Sequence, residues 1–293
     1  MSIPAIPILN TWAAVLDHTR RYQDFTYVYP VISRRSRGLS LGVNLNPDKV
    51  CNFDCVYCEV DRRVPGKAKD VDLAQVRDEL RWLIRHILSG GLGAEPKFAE
   101  LPSALSRRIR DIAFSGDGEP TMVHNFDQCV QLVAGVKSDF NLAETKIVLI
   151  TDAAGLDKAS VKQGLEIMDQ HPSEIWGKLD AGTEAFYREV NRSPIRFDRI
   201  LSNLLETARV RPIIIQSLFL KVREKVMSPE ELEAYCERLN HIVKQGGRIR
   251  EIHAYTVARP TPEPWATKLT GEELETLAAT IRQRTSLKVL TFD

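Results

Sequence analysis

The sequence predicts an α/β fold in which strands and helices alternate along the chain. Short runs of aliphatic residues alternate with longer stretches of helical periodicity. Two of the helices begin at capping boxes. The length, 293 residues, suits one large domain or two small ones. Alternating strands and helices imply a parallel sheet covered by helices, so a barrel and a doubly wound sheet are both open at this point.

The elements of the first half follow from local signals. A period-two strand is predicted at 39–45, after which Asp72 caps a long amphipathic helix that ends near Leu88. Gly90 and Gly91 stop this helix, and residues 90–108 predict an irregular connection. The other elements of this half are a strand at 111–115, a helix at 124–137, a strand at 146–151 and a helix at 157–169.

The second half continues the alternation. Ser228 to Glu231 and Thr270 to Glu273 are capping boxes that open two helices, the first of which ends at Gly246-Gly247. The other predicted elements are strands at 174–180, 212–221 and 251–259, helices at 183–190 and 196–208, and an edge strand at 288–292. The whole gives six β/α units.

Residues 1–38 are predicted to be an N-terminal extension, ahead of one domain over 39–293. The extension mixes arginines with aromatic residues: Arg20, Arg21, Tyr22, Phe25, Tyr27, Tyr29, Arg34, Arg35 and Arg37. Such a composition fits a surface that binds a nucleic-acid backbone and stacks bases. It also fits a solvated flap that packs its tyrosines over one end of a barrel. We favour the flap, because arginine content alone predicts little.

Composition restricts the class of protein. The net charge of +1 gives no basic surplus for nucleic acid. No apolar run approaches the roughly 20 residues that a membrane span needs. Residues 1–10 contain two prolines and no basic stretch, which argues against a signal peptide. We therefore expect a cytoplasmic protein with free thiols, in which Cys129 and Cys236 are small core residues on helices.

Three cysteines lie in one short loop directly after the first predicted strand. Cys51, Cys55 and Cys58 have the spacing C-x3-C-x2-C. Structural zinc sites usually have four ligands in paired half-sites, and no second C-x2-C or H-x3-H follows here. Three thiolates suit a cubane iron–sulfur cluster that leaves one iron open to another ligand.

At these residues the sequence resembles the radical S-adenosylmethionine (SAM) superfamily, in which an aromatic residue such as Tyr57 commonly precedes the last cysteine. The resemblance implies a partial (β/α)6 TIM-like barrel. It also implies that Cys51, Cys55 and Cys58 hold a [4Fe–4S] cluster whose open iron binds the methionine part of SAM. One electron would then cleave SAM to methionine and a 5′-deoxyadenosyl radical, which abstracts hydrogen from a substrate.

The resemblance extends to polar residues at the ends of later strands. The turn Gly116-Asp117-Gly118-Glu119 resembles the Gly-Gly-Glu segment that holds the SAM amino group. Thr151-Asp152-Ala153 stands where members often have Thr-Asn-Gly. The residues implied in cofactor binding are Tyr57, Gly116, Asp117, Gly118, Glu119, Thr151, Asp152, Lys178, Asp180 and Gln216.

Strand alternation predicts which polar residues face inward. Lys178 and Asp180 share one face of their strand, where they either contact SAM or form an ion pair at the rim. The candidate catalytic residues are Lys178, His253 and Tyr255, although a lone strand histidine is more often structural. Asn44 and Gln216 join them as candidate substrate contacts, because polar inward positions need partners.

Within the superfamily, the motifs look most like a group related to the wyosine-synthesis enzymes, over roughly residues 30–210. Those relatives modify a guanosine of tRNA and use pyruvate as the carbon source. They carry additional upstream cysteines and a basic surface, whereas no cysteine precedes Cys51 here and the chain is near neutral. If pyruvate is a substrate, Lys178 is the residue expected to form a Schiff base with it.

The function expected is that of a radical SAM enzyme with an unidentified substrate, either a tRNA base or a small molecule. Flavodoxin or ferredoxin is the expected electron donor. One alternative is an activase that installs a glycyl radical in a partner protein. Another is a non-enzymatic binding module that is stabilised by zinc in the cysteine loop.

Overall fold

The computed structural model describes residues 8, 11–17, 19–64, 66 and 70–293. Residues 1–10, which by composition are not expected to be a signal peptide, lie outside the described residues except for Ile8. The chain divides into two compact units. The first comprises residues 1–50, 66–149 and 159–174, and the second comprises 51–65, 150–158 and 175–293.

Parallel strands form the sheet of the first unit. The strands are β1 (Val28–Ser33), β2 (Gly38–Val43), β3 (Ile109–Phe114) and β4 (Lys146–Thr151), the last two residues of which belong to the second unit. Strand β1 pairs antiparallel with β2, and β2, β3 and β4 are parallel neighbours in that order. The helices are α1 (Ala13–Leu16), α2 (Leu73–Leu88), α3 (Ser103–Ser106), α4 (Phe126–Asp139) and α5 (Ala159–Met168).

The second unit repeats the pattern of parallel strands and helices. Its strands are β5 (Ser173–Lys178), which begins in the first unit, β6 (Ile213–Leu218), β7 (Lys221–Val222), β8 (Ile249–Tyr255), β9 (Ala266–Thr267) and β10 (Val289–Phe292). The strands β5, β6, β8 and β10 are parallel neighbours in that order, while β7 and β9 form a separate antiparallel pair. The helices are α6 (Glu184–Val190), α7 (Phe197–Val210), α8 (Pro229–Lys244) and α9 (Gly271–Thr285).

The predicted alternation of strands and helices is confirmed, and so are most of the caps. The Asp72 carboxylate accepts hydrogen bonds from Ala74 N (2.9 Å) and Gln75 N (3.0 Å) at the start of α2. Thr270 and Glu273 form a complete capping box at α9. Within the described part of each unit, the strands show no reversal of order of the kind that marks a doubly wound sheet.

The interpretation of the N-terminal extension as a solvated flap is wrong for residues 28–33. They form β1, and the tyrosines at its start, Tyr27 and Tyr29, are buried. The carboxylate of Glu79 on α2 explains why the chain is held there. It accepts hydrogen bonds from Thr26 N (2.9 Å), Tyr27 N (2.8 Å) and Val28 N (3.0 Å). The boundary between an extension and a domain at residues 38 and 39 stays a prediction.

The bounds of several elements differ from those predicted from the sequence. The connection over 90–108 contains a short 3-10 turn at Leu92–Ala94 and the four-residue helix α3. The strands expected at 212–221 and 251–259 end earlier, at Leu218 and Tyr255. Cys129 and Cys236 are buried on α4 and α8, as predicted. Among the described residues, no helix is both long enough and apolar enough to cross a membrane.

Replacement of Glu79 should loosen the attachment of β1 to α2. Glu79→Ala leaves three backbone N–H groups without their acceptor, and a buried donor left unsatisfied costs about 1–3 kcal/mol. We expect the free energy of unfolding in urea to fall by about 3 kcal/mol. Asp78→Ala is the control, because Asp78 is exposed and forms an ion pair with its neighbour Arg77 on the surface of the same helix. Equal stability of the two variants would contradict the assignment.

Candidate functional site

The cysteine loop, residues 51–58, belongs to the second unit and is bonded to the end of α6. The backbone N–H of Asp54 donates to the carbonyl oxygen of Asn191 (3.0 Å), and that of Val56 donates to Val190 (3.0 Å). These two bonds join segments about 135 positions apart in the chain. The position of the loop is therefore set by long-range contacts as well as by its own turn.

Apolar packing also stabilises the cysteine loop. Val56 is fully buried and Tyr57 nearly so, in a hydrophobic cluster that includes Val190 and Leu218. Cys55 packs against this cluster as a partly buried residue. The middle of the loop is thus anchored by apolar side chains, while the remaining cysteines, Cys51 and Cys58, are partly exposed.

A buried polar cluster surrounds Asp180, which is 3% exposed. The hydroxyl of Tyr57 donates to its Oδ2 atom, and Asn191 Nδ2 donates to the same atom (2.8 Å). The backbone N–H of Leu218 donates to Oδ1 (2.8 Å). Both carboxylate oxygens are therefore bonded to groups of the protein. Burial and the neighbouring charge of Asp180 hold the pKa of Tyr57 well above its usual value, so Tyr57 remains a donor.

Lys178 adds a positive charge to this cluster. Its Nζ atom lies 3.1 Å from the hydroxyl of Tyr255 and 3.5 Å from Asp180 Oδ2. It also lies over the ring of Tyr57, 4.8 Å from the centroid. Burial lowers the pKa of Lys178, but the charges of Asp180, Tyr255 and Cys55 and the hydrogen bond to Tyr255 together raise it above the ordinary value. Lys178 is therefore a cation held between a carboxylate and two phenol rings.

Three candidate residues occupy one level of the sheet in the second unit. Lys178 on β5 pairs in register with Gln216 on β6, and Gln216 with His253 on β8. Gln216 is 2% exposed, and its amide oxygen has no hydrogen-bond partner within the described part of the chain. His253 Nε2 lies 2.9 Å from Glu251 Oε1, and Lys288 donates to the other oxygen of Glu251 (2.6 Å).

The side chains of Thr151 and Asp152 stabilise the turn that follows β4. Thr151 Oγ1 accepts from Ala153 N (3.0 Å), and Asp152 Oδ1 accepts from Ala154 N (2.9 Å). Ala153 has a φ of 69°, in the left-handed region that glycine prefers. The carbonyl oxygens of Ala153 and Ala154 in turn accept from Asn203 Nδ2.

The glycine–acid turn lies in the first unit. The Asp117 carboxylate accepts from Asn44 Nδ2 (2.8 Å) and pairs with Arg20 Nη1 (3.1 Å). Asn44 Oδ1 in return accepts from the backbone N–H of Asp117 (3.1 Å). Asn44 and Asp117 are therefore brought together, as two of the predicted site residues, and Arg20 neutralises the carboxylate.

Both positions of this turn require glycine, because neighbouring atoms leave no room for a Cβ atom. A Cβ atom on Gly116 would lie 2.3 Å from Asn44 Oδ1, and one on Gly118 would lie 1.9 Å from the carbonyl oxygen of Val50. The buried Glu119 accepts hydrogen bonds at Oε1 from the N–H (3.0 Å) and the hydroxyl (2.6 Å) of Thr121. The turn is thus tightly packed.

The three thiols have the donor chemistry of an iron–sulfur site. Arg62 Nη1 donates to Cys58 Sγ (3.1 Å). Burial lowers the pKa of Arg62, but the charge and hydrogen bond of Cys58 and, more weakly, the charges of Cys51 and Cys55 raise it above the usual value. Across the described ranges, however, no group of three or more His, Cys, Asp or Glu side chains is arranged to hold a metal ion. The donors suit a cluster, whereas their arrangement is not that of a closed metal site.

Burial raises the pKa of the Cys55 thiol to about 11, and the charge of Asp180 acts in the same direction. Lys178 and the amide of Asn191 act in the opposite direction. Asn191, which contacts Cys55, and Arg62, which contacts Cys58, are two residues of the site that the sequence analysis missed. Neither residue lies in a motif, although Arg62 is only four positions beyond Cys58.

Comparison with known sequences gives distant relatives. No protein-family model matches the sequence. A "GTPase Obg" of Brachyspira hyodysenteriae is 25% identical over 252 residues, covering 84% of this chain and 32% of the relative. A UPF0026 protein of Methanocaldococcus jannaschii is 29% identical over 177 residues, covering 60% of this chain and 46% of the relative. A UPF0026 protein of Helicobacter pylori is 25% identical, covering 84% and 70%. The chain thus spans about a third and under half of the first two relatives.

Several solved structures superpose on most of this chain. SuiB of Streptococcus suis bound to S-adenosylmethionine superposes with a TM-score of 0.57 at 16% identity, over 89% of this chain and 52% of SuiB. TYW1 with a lysine–pyruvate adduct bound has a TM-score of 0.53 at 17% identity, over 86% and 75% of the two chains. An archaeal TYW1 gives 0.52 at 13%, over 91% and 86%.

SuiB and TYW1 are radical SAM enzymes, and likeness at this identity shows the fold. This chain has the mixed α/β fold of the radical SAM partial barrel. The fold class predicted from the cysteine loop and the six β/α units is confirmed, and the UPF0026 relatives are consistent with it.

Removal of the Asp180 carboxylate should destabilise the second unit. Asp180→Ala leaves the Lys178 ammonium without its carboxylate and three other donors without an acceptor. Breaking a buried ion pair in this way costs about 3–5 kcal/mol. We expect a loss of that size in the free energy of unfolding, measured by urea denaturation.

Asp61→Ala provides the control for this variant. Asp61 also lies in the second unit but forms an exposed ion pair with Arg63, so its loss should leave stability unchanged within error. If Asp180→Ala were as stable as Asp61→Ala, the carboxylate would not hold the cluster together.

Proposed function

We propose that this chain is a radical SAM enzyme. In this proposal Cys51, Cys55 and Cys58 bind a [4Fe–4S] cluster, and SAM binds next to it. The observation that carries the proposal is the combination of a C-x3-C-x2-C loop with a fold that is shared with SAM-bound SuiB. When bound, the cluster supplies one electron that cleaves SAM to methionine and a 5′-deoxyadenosyl radical, which abstracts hydrogen from a substrate.

The chain's own residues have distinct tasks in this proposal. The bonds from Asp54 and Val56 to the end of α6 hold the cysteine loop in place. Lys178 is a buried cation and suits a carboxylate, whether that of SAM or that of a substrate. Gln216 offers a buried amide oxygen to a donor of a ligand.

Substrate and partners are further proposals. A tRNA base and a small molecule are both compatible with the proposal, and flavodoxin or ferredoxin remains the expected electron donor. GTP hydrolysis is not part of the proposal, because this sequence contains no G-x-x-x-x-G-K-[S/T] run of the kind that cradles nucleotide phosphates.

Anaerobic reconstitution tests the proposed chemistry. The protein is loaded with iron and sulfide, reduced with dithionite and supplied with SAM, and 5′-deoxyadenosine is measured by chromatography. We expect product from the wild type and a loss of at least a hundredfold in Cys55→Ala, because three thiolates are needed to hold the cluster. Cys129→Ala removes a cysteine from the core of the first unit and should keep the product yield of the wild type.

The same samples separate the proposal from a zinc-stabilised module. Metal analysis should find iron in the wild type and a strong loss of iron in Cys55→Ala. A colourless wild-type protein that carries zinc and produces no 5′-deoxyadenosine would overturn the enzymatic proposal.

A second candidate, pyruvate chemistry on Lys178, is favoured by the lysine–pyruvate adduct in the structure of TYW1. Condensation of the ε-amine with the ketone releases water and requires the neutral amine. The raised pKa of Lys178 opposes this step in the resting protein, because it keeps the side chain protonated. The neutral fraction rises about tenfold per pH unit below the pKa, so adduct formation should increase as pH rises.

Trapping with borohydride tests this candidate. Hydride reduces the imine to a stable secondary amine, which mass spectrometry of peptides locates. We expect labelling at Lys178 in the presence of pyruvate, increasing between neutral and alkaline pH, and none at this position in Lys178→Arg. Exposed Lys162 reports background labelling. Labelling at Lys178 that never exceeds that at Lys162 would exclude the adduct.

A further inference from the structure

We propose that Asn191 is a positioning residue that donates a hydrogen bond to the Cys55 sulfur and thereby raises the reduction potential of the cluster. This inference rests on the proposed function, because it concerns the cluster that the three cysteines would hold. It assigns a role to a residue outside the cysteine loop that the sequence did not single out.

Asn191 is placed by the helix that it terminates. Its backbone N–H donates to the carbonyl oxygen of Tyr187 (2.8 Å) as the last bond of α6, and its own carbonyl oxygen accepts from Asp54 N (3.0 Å). The residue is 1% exposed. The backbone of Asn191 is therefore held at both its N–H and its carbonyl oxygen, and its side chain is buried.

The side-chain amide lies among three acceptors. Nδ2 lies 2.8 Å from Asp180 Oδ2, 3.2 Å from Tyr57 Oη and 3.5 Å from Cys55 Sγ. An amide nitrogen has two hydrogens, and the shortest contact assigns one of them to Asp180. The other hydrogen has two acceptors within reach, Tyr57 Oη and Cys55 Sγ, and is shared between them in this proposal. The hydroxyl of Tyr57 already donates to Asp180, so its oxygen remains an acceptor.

Both neighbours of the amide favour a donor at this position. A carboxylate in its place would face the charged oxygen of Asp180 and a ligand thiolate, which are both negative. An apolar side chain would leave Asp180 and the sulfur without this N–H group. Asparagine is short enough to contact both at once, and its amide carries no charge that would need a partner.

A hydrogen bond to a ligating sulfur changes the redox equilibrium of a cluster. The reduced cluster carries one more negative charge, part of which lies on its sulfurs, so a donor stabilises the reduced form more than the oxidised form. Removal of the donor should therefore make reduction harder. A role limited to packing would change stability and leave the potential where it was.

The test is a redox titration of the reconstituted protein. Dithionite adds one electron per cluster under anaerobic conditions, and the reduced fraction is followed by electron paramagnetic resonance against the solution potential. For Asn191→Ala we expect a midpoint potential more negative than that of the wild type by more than the titration error, at an unchanged iron content per chain.

Asn203→Ala is the matched control. Asn203 is also a buried asparagine of the second unit, and its Nδ2 donates to the carbonyl oxygens of Ala153 and Ala154. Its loss should lower the stability to urea without moving the midpoint potential. A potential of Asn191→Ala equal to that of the wild type, or an equal shift in Asn203→Ala, would overturn the inference.

Asn191→Gln covers the case in which Asn191→Ala takes up no iron. It keeps the amide donor on a side chain that is one methylene longer. Iron uptake by Asn191→Gln together with its loss in Asn191→Ala supports the donor role, whereas equal loss in both variants overturns it. A wild-type protein that binds no iron overturns the proposed function and this inference together. A loaded wild type with no difference in potential overturns this inference alone.

Discussion

One buried carboxylate, that of Asp180, determines the arrangement of polar groups in the second unit. A charge at 3% exposure is tolerated only if donors surround it, and the donors here come from separate parts of the chain. Tyr57 brings the cysteine loop, Asn191 the end of α6 and Leu218 the end of β6. Each of these segments is therefore held by the requirement that the same charge be satisfied.

Signals that act over a few residues could be predicted from the sequence. The caps at Asp72 and Thr270 involve partners two or three positions away, and strand periodicity needs only a handful of residues. The cysteine spacing belongs to the same class, because three donors within eight residues restrict the chemistry without any knowledge of the fold. The alternation of strands and helices, which led to the fold class, is the sum of such local signals.

Interactions across long stretches of chain could not be predicted in this way. Glu231 stands at the third position of a sequence that looks like a capping box, and Ser228 does accept from its N–H. Its carboxylate, however, accepts from the backbone N–H of Gly182 (2.5 Å), 49 positions away. Glu79 and Asn191 are similar cases, because nothing in their neighbourhood in the sequence indicates which distant backbone group they bind.

The path of the chain has a consequence for how this protein can be made. The backbone passes from one compact unit to the other five times, after residues 50, 65, 149, 158 and 174. No single cut therefore yields a fragment that contains a whole unit and nothing else.

The segment that carries the three thiols must also meet residues more than 130 positions downstream, and closing so long a loop has an entropic cost. During synthesis on the ribosome, the cysteines emerge before the end of α6, so the two backbone bonds that hold their loop form only after residues 190 and 191 have been translated.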